Sequence, residues 1–181
     1  MPAVARTSAA KIIAAARRLV ERHGAERLSM QDVAQVVGIQ APSLYKRYAD
    51  RAALLRDVRL SVSAQVQRTL ARAATTGNAS DDLRAIARAQ HSYALRAPHL
   101  YALLFTGVPL AVADHESTAA LVLDRMAVHG EPRNALAAAR LLVSFVHGFS
   151  TMECAGAFHL GGSVEASFDS GLDLLLASTK R

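Results

Sequence analysis

The chain has 181 residues, of which 51% are hydrophobic and 20% are charged, so its composition excludes a disordered protein. A single cysteine, Cys154, rules out an intrachain disulfide, and no run of about 18 apolar residues is present to span a membrane. The first residues also lack the apolar core of a signal peptide. The sequence therefore predicts a cytoplasmic protein without a membrane partner.

The formal net charge of +6 is concentrated in the first third of the chain. Residues 1–60 hold 11 Lys and Arg against 5 Asp and Glu, whereas residues 61–181 hold 10 of each. This distribution predicts a basic module that binds a polyanion, joined to a neutral module with another task.

Alanine and leucine recur at three- and four-residue spacing almost throughout, and β-branched alternation is absent, so the predicted fold class is all-α. The first helix, residues 8–23, ends at Gly24. A second helix begins at Met30, because Ser29 is a favourable N-cap with an acidic residue three positions later. It ends at Gly38, which permits a tight turn. These features are typical of a helix-turn-helix.

The third helix is predicted over residues 40–48, and it is expected to be presented to solvent rather than buried in the core. At 100° per residue, Ala41 and Tyr48 lie within about 60° of Leu44, so the three form a small apolar anchor. Proline in the first turn costs no hydrogen bond. The side chains expected to point outward are Pro42, Ser43, Tyr45 and Lys46.

Asp50 is predicted to cap a long fourth helix over residues 51–74, and "TTGNAS" at residues 75–80 marks a module boundary. The predicted domains are residues 1–58, with a connecting helix to about residue 75, and residues 81–181. Further helices are predicted at residues 81–97, 98–106, 116–129, 132–157 and 164–178, with breaks at Pro98, Gly107, Pro109, Gly130, Gly161 and Gly162.

Two stretches, "KIIAAARRLVERHG" and "LSMQDVAQVVGIQAPSLYKRYADRAALL", resemble the DNA-binding domain of TetR-type transcriptional repressors over residues 8–58. The stretches "RLLVSFVHGFSTMECAGAF" and "FDSGLDLLL" resemble one C-terminal subfamily, which is marked by an aromatic residue, His and Gly. The chain departs from the pattern at Tyr48, where Phe is usual, and at Gln40, where a small polar cap is usual. A third departure is Ser144, where the subfamily has Trp.

The resemblance implies a homodimeric repressor without a cofactor. Helix 40–48 would enter the major groove of a double-stranded DNA operator, and a small lipophilic molecule bound in the C-terminal domain would release the protein. The alternative is an effector-free or architectural DNA-binding protein of the same fold, whose C-terminal domain is solid core.

Dimerisation is expected through residues 132–157 and 164–178, because their apolar side chains exceed what one small body needs. Gly148 would allow two helices to approach closely. The apolar residues behind this expectation are Leu141, Leu142, Phe145, Leu172, Leu174, Leu175 and Leu176.

The resemblance also implies the contacting residues. Ser29, Tyr45 and Arg51 match family positions that touch the DNA backbone. Lys46 extends far enough to meet a phosphate or a guanine, and Arg47 is placed to meet a phosphate. The expected DNA contacts are Ser29, Gln40, Ala41, Pro42, Ser43, Tyr45, Lys46, Arg47 and Arg51. The residues expected to line the effector pocket are Tyr101, Phe105, Met126, Phe149 and Met152.

The pattern of nucleophiles and metal ligands predicts neither an enzyme nor a metal site. His147 and Cys154 are seven residues apart on one predicted helix, about 10.5 Å along its axis, which is too far for a nucleophile to share a hydrogen bond with its base. The segment "HESTA" at residues 115–119 has Ala119 where the zinc motif H-E-x-x-H has its second His.

Overall fold

The computed structural model describes residues 8–106 and 112–179, and for residues 112–118 it describes only the backbone. Both ranges are helical and contain no strand, which confirms the all-α fold class. The 3-10 turns Ala25–Arg27 and Pro132–Asn134 precede α2 and α8. The α-helices are α1 Ala9–His23, α2 Met30–Val37, α3 Ala41–Tyr45, α4 Arg51–Ala73, α5 Ala79–Arg96, α6 Pro98–Leu103, α7 Val112–His129, α8 Ala135–Cys154 and α9 Val164–Thr179.

Two features of the sequence analysis fall on parts of the chain that are not described. The expected breaks at Gly107 and Pro109 lie outside the described residues. The side chains of His115 and Glu116 are also not described, although the backbone at these positions belongs to α7.

The helix ends of the first 60 residues are set by local capping bonds. The Ser29 hydroxyl oxygen accepts the amide of Asp32 at 3.1 Å, which confirms the predicted start of α2. Gly38 has a φ of 78°, in the left-handed region that glycine favours, and it ends α2. Asp50 accepts the amide of Ala53 at 2.7 Å and caps α4.

The third helix is shorter than the sequence predicted. It covers Ala41–Tyr45 instead of residues 40–48. The amide of Arg47 bonds to the carbonyl of Leu44 at 2.9 Å, three residues back, so the chain tightens into a 3-10-like turn after one and a half helical turns. The Tyr48 amide still bonds to the Leu44 carbonyl at 3.0 Å, and this bond keeps the Tyr48 ring on the buried side.

The chain divides into two compact units. The first unit comprises the described residues of Met1–Ala64 and Ala97–Pro109, and the second those of Gln65–Arg96 and Leu110–Arg181. Helix α4 begins in the first unit and ends in the second. The short helix α6 follows the predicted boundary in sequence, yet it packs against α1 in the first unit.

Each unit has its own apolar core. In the first unit, α1 contributes Ile12, Ala16 and Val20, α3 contributes Leu44, and α4 contributes Leu54, Val58 and Val62, all almost fully buried. In the second unit, the buried side chains of α5, α7, α8 and α9 include Leu83, Ile86, Met126, Leu142, Phe168, Leu172, Leu175 and Leu176. Leu142, Leu172, Leu175 and Leu176 had been expected at a dimer interface, but they pack inside the protomer.

A buried carboxylate ties the start of α5 to α7 within the second unit. Asp82 accepts the amide of Thr76 at 2.9 Å, the hydroxyl of Thr76 at 2.8 Å, and Nε of Arg125 at 2.9 Å. The bonds from Thr76, followed by that from Arg125, lower the pKa of Asp82. The carboxylate therefore remains ionised and holds the turn before α5 in place.

Within the described residues, one helix is long and apolar enough by length and composition to cross a membrane, and it spans Pro132–Cys154. Core helices of soluble proteins pass the same test. In this chain the helix packs against α5, α7 and α9.

Candidate nucleic-acid interface

Helix α3 presents a polar surface that is held from behind by apolar side chains. Leu44 is fully buried, and Tyr48 is 5% exposed. Tyr45 is 52% exposed, which is unusual for a large ring that could have been buried. The other exposed residues of this segment are Gln40, Pro42, Ser43, Lys46 and Arg47, and Ala41 is half-buried. The outward direction predicted from the helical rotation is confirmed for Pro42, Ser43, Tyr45 and Lys46.

Ser29 caps α2 and still has a hydroxyl hydrogen that it can donate. Its oxygen accepts the amide of Asp32, while its own O–H remains available to donate to a phosphate oxygen. The residue is half-buried at the start of α2.

Arg51 does not point outward as the family resemblance implied. Its Nε donates to the carbonyl of Leu28 at 2.8 Å, and its Nη2 donates to the carbonyl of Ala25. Both carbonyls lie between α1 and α2, so the guanidinium joins the start of α4 to the segment that leads into α2. In this geometry Arg51 fixes the start of α4 against the segment before α2, and two of its donor groups already bond within the protein.

The departure from the family pattern at Tyr48 has a structural explanation. Burial raises the pKa of Tyr48, and so do the nearby charge of Asp57 and the hydrogen bond that the phenol donates to that carboxylate. A phenylalanine would fill the same space but could not make this bond. Tyr48 therefore adds a polar link between the end of α3 and the first half of α4.

The excess positive charge of residues 1–60 is not all exposed. Arg17 donates to the Ser61 hydroxyl at 2.8 Å, and Arg51 donates to the carbonyls of Leu28 and Ala25. Arg59 is buried, and this burial lowers the pKa of its guanidinium. The exposed basic residues of the described part of this segment are Lys11, Arg18, Arg22, Arg27, Lys46, Arg47 and Arg56.

The five residues expected to line an effector pocket do not meet in one place. Tyr101 and Phe105 belong to the first unit, where their rings contact each other edge to face at 5.2 Å. Met126 is buried in the core of the second unit and lines a groove of about 320 Å³ with residues of α8 and α9. Phe149 belongs to a group of phenyl rings, and Met152 is exposed nearby on α8.

A carboxylate and an imidazole that the sequence analysis did not connect lie together in the second unit. His91 Nε2 is 2.7 Å from the Glu153 carboxylate, and the His91 ring stacks on Phe168 with centroids 4.1 Å apart. The two paired residues are separated by 62 positions, so no local pattern could have revealed them.

The environment of Cys154 is unsuited to nucleophilic catalysis. Burial raises the pKa of its thiol, as does the charge of Glu153, and its Sγ lies 3.7 Å from the Ala94 carbonyl. A thiol with a raised pKa is a poor nucleophile at neutral pH. Burial also lowers the pKa of His147. Within the described residues, no group of three or more His, Cys, Asp or Glu could hold a metal ion.

Two family models match the chain. Residues 12–58 match the model for bacterial regulatory proteins of the tetR family, and residues 83–175 match the model for the tetracyclin repressor-like C-terminal domain. An uncharacterized HTH-type transcriptional regulator of Mycobacterium tuberculosis is 33% identical over 162 residues, which cover 84% of this chain and 72% of that protein.

Solved structures share the fold. A protein with unknown function from Rhodococcus sp. RHA1 is 22% identical, with a TM-score of 0.86 and complete coverage of both chains. A TetR variant from Acinetobacter baumannii AYE in complex with minocycline is 22% identical, with a TM-score of 0.69 and 93% and 94% coverage. BioQ of Mycobacterium smegmatis is 20% identical, with a TM-score of 0.71 and 95% and 97% coverage. The helix-turn-helix, the matched models and the regulator from M. tuberculosis together establish that the chain belongs to the TetR family of DNA-binding transcriptional regulators.

Proposed function

We propose that the protein is a homodimeric repressor that binds a DNA operator through α3 and leaves it when a small lipophilic molecule binds the second unit. The observation that carries the DNA part is the exposed surface of α3 and the turn after it, where a phenol, a hydroxyl and two cations lie on a segment anchored by Leu44. Such a surface suits the major groove, which admits one helix.

The exposed groups of this surface divide by their chemistry. The hydroxyls of Ser29 and Tyr45 and the charge of Arg47 suit phosphate oxygens. Pro42 and Ser43 are small enough for close approach to base edges, together with Gln40 and the half-buried Ala41. Lys46 extends from the last turn and suits a phosphate or the acceptor edge of guanine. We leave Arg51 out of the contacting set, because its Nε and Nη2 bond to carbonyls of the first unit.

Replacing Lys46 with Ala is expected to weaken operator binding without unfolding the first unit, because the side chain is exposed. If Lys46 meets a phosphate, the slope of log K against log salt falls by about one per subunit; if it meets guanine, specificity falls by about 1–3 kcal/mol. Replacing Tyr45 with Phe removes one hydroxyl and is expected to weaken binding more mildly. Fluorescence anisotropy over a range of salt concentrations measures both effects.

Arg56 supplies the matched control. It is an exposed cation on α4 outside α3, so replacing it with Ala removes the same charge from the first unit without altering the α3 surface. Lys46→Ala and Tyr45→Phe proteins that keep the native affinity and salt slope would remove both residues from the interface.

The dimer part of the proposal rests on apolar side chains of α8 and α9 that the protomer leaves uncovered. Leu141 is 51% exposed and Leu174 is 73% exposed. A Cβ added at Gly148 would meet no atom within 4 Å, so the protomer itself does not require glycine there. A second copy packed closely against α8 would require it.

Replacing Gly148 with Ala therefore distinguishes a protomer whose α8 is free at this position from one whose α8 packs against a partner. In an isolated protomer, Ala within a helix is expected to stabilise by up to about 1 kcal/mol. If α8 packs closely against a partner at this position, the added methyl group is expected to weaken the dimer. Sedimentation at several concentrations measures the change, and a native protein that sediments as a monomer at micromolar concentration would contradict the dimer proposal itself.

The ligand part of the proposal is supported by the structurally similar TetR variant that is in complex with minocycline. A ligand releases DNA only through its different affinities for the bound and released states, and a coupling of about 1–3 kcal/mol gives roughly 5- to 150-fold release.

Reciprocity gives the test of this coupling. An inducing ligand is expected to bind the protein more weakly when operator DNA is present, by the same factor as it weakens DNA binding. Calorimetric titrations with and without the duplex measure both values. A tight ligand with equal affinity in both titrations is not the inducer. The effector-free alternative is favoured by the scattering of the five expected pocket residues, and it gains support if no ligand shows coupling.

A further inference from the structure

The second unit contains a carboxylate–imidazole pair whose imidazole ring packs against two phenyl rings. Glu153 on α8 is bonded to His91 on α5 at 2.7 Å. The His91 ring stacks on Phe168 of α9 at 4.1 Å with an angle of 12°, and it meets Phe149 edge to face at 6.0 Å. The pair is thus an ionisable group placed against π-faces, which attract positive charge.

Four phenyl rings complete this group, and one of them is carried by a loop. Phe149 lies 5.3 Å from Phe168 and 5.8 Å from Phe145, and Phe158 covers Phe149 at 4.7 Å. Phe158 is 38% exposed, so one side of its ring faces solvent. We call these four rings with His91 and Glu153 the aromatic–carboxylate cluster.

The loop that carries Phe158 is loosely packed. It joins α8 to α9 and contains glycines with positive φ at Gly156, Gly161 and Gly162. A Cβ added at any of the three would meet no atom within 4 Å. Leu160 in the same loop is fully exposed. The loop around Phe158 therefore has space to rearrange at its glycines.

A hydroxyl one turn before Glu153 lacks a bond. Ser150 is fully buried, and its oxygen has no hydrogen-bond partner. Residues three apart share one side of a helix, so Ser150 and Glu153 are neighbours on α8. A buried hydroxyl without a partner costs free energy, and a polar group of a ligand could supply the missing bond.

The charges of residues 141–179 determine whether a cationic or an anionic ligand is favoured. Residues 141–179 contain no Lys or Arg and four acidic residues. Asp169 and Asp173 are paired with Arg88 and Arg84, and Glu165 is exposed. The fourth acidic residue, Glu153, is the one bonded to His91, whose ring contacts Phe149 and Phe168. An anionic ligand would be repelled, whereas a cation would gain both the carboxylate and the rings.

We propose that the aromatic–carboxylate cluster binds a lipophilic organic cation. The cation takes the place of the Phe158 ring against Phe149, its charge lies near Glu153, and its apolar body contacts the remaining rings. This inference rests on the proposed function, since it names the chemical class of the effector and the place where it binds.

The test compares probes that differ in charge. Benzyltrimethylammonium and neopentylbenzene have nearly the same shape, because a quaternary nitrogen in one replaces a quaternary carbon in the other. We expect the cation to bind the intact protein at least about tenfold more tightly than the neutral isostere, as a desolvated cation–π and carboxylate contact implies. Benzenesulfonate is expected not to bind. Equal binding of the cation and the neutral isostere overturns the proposal.

Two variants locate the site. Glu153→Gln is expected to remove the preference for the cation, whereas Glu165→Gln removes an equal charge from exposed α9 and is expected to retain it. Phe158→Ala is expected to bind the cation several-fold more tightly, because the ligand no longer displaces a ring. If Phe158→Ala weakens binding, or if Glu165→Gln matches the loss in Glu153→Gln, the site lies elsewhere.

Failure of this inference is distinguishable from failure of the proposed function. Binding is measured on the protein alone, and release is measured separately by anisotropy on the operator complex. A cation that binds the cluster but leaves operator affinity unchanged supports the site and contradicts ligand-linked release. A neutral molecule that releases the operator while benzyltrimethylammonium does not bind supports the proposed function and overturns the inference.

Discussion

Replacing Leu44 with Ala is expected to destabilise the packing of α3 by roughly 2–5 kcal/mol and to abolish operator binding. Leu44 is fully buried and is the central apolar anchor of a helix that covers only Ala41–Tyr45. A helix of this length is not stable by itself in water, so its position depends on tertiary packing. Without the Leu44 side chain, α3 should therefore lose its fixed position, together with the exposed side chains that it carries.

Hydrogen exchange at the amides of residues 43–48 measures this loss of structure directly, and anisotropy measures the loss of DNA binding. Val36→Ala on α2 is the matched control, because Val36 is 48% exposed and its truncation should change stability by less than about 0.5 kcal/mol. A Leu44→Ala protein with native exchange rates would show that other contacts hold α3.

Replacing Gly130 with Ala is expected to cost roughly 1–3 kcal/mol in the second unit. A Cβ at this position would overlap the carbonyl oxygen of Thr179, a backbone atom near the end of α9. Backbone cannot rotate away as a side chain can, so α9 or the turn after α7 must shift. The melting temperature is expected to fall by about 2–4 °C for each kcal/mol lost.

A truncated chain that ends at Ala177 tests the cause of this loss. Truncation removes the Thr179 carbonyl, so Ala at position 130 should cost much less in the short chain than in the full one. The difference between the two costs is the interaction free energy of a double-mutant cycle. Equal costs in both chains would mean that the penalty does not arise from contact with Thr179.

The sequence predicted those features whose causes are local. The caps at Ser29 and Asp50 and the turn at Gly38 depend on bonds or dihedral angles within three residues, and all three were confirmed. The outward direction of the α3 side chains followed from the helical rotation and the identity of Leu44. The predicted end of α3 at residue 48 was wrong. The Leu44 carbonyl accepts both a 3-10 bond from Arg47 and an α-helical bond from Tyr48, and the sequence does not show which pattern continues.

The features that the sequence did not predict depend on distant partners. Arg51 bonds to carbonyls 23 and 26 residues away, and an exposed arginine would have the same sequence context. His91 and Glu153 meet across 62 residues. Apolar periodicity identified the leucines of α8 and α9, but it could not distinguish those that pack within the protomer from those, such as Leu174, that remain exposed.

The two bonds made by Arg51 have a consequence for redesign of the protein. Both acceptors are main-chain carbonyl oxygens, which exist whatever side chains stand at positions 25 and 28. The link between α4 and the segment before α2 is therefore independent of the side chains of the proposed DNA-binding surface. If α3 reads the operator as proposed, an engineer could exchange the side chains of Pro42, Ser43 and Lys46 to target another operator while the Arg51 bonds keep the helices in place.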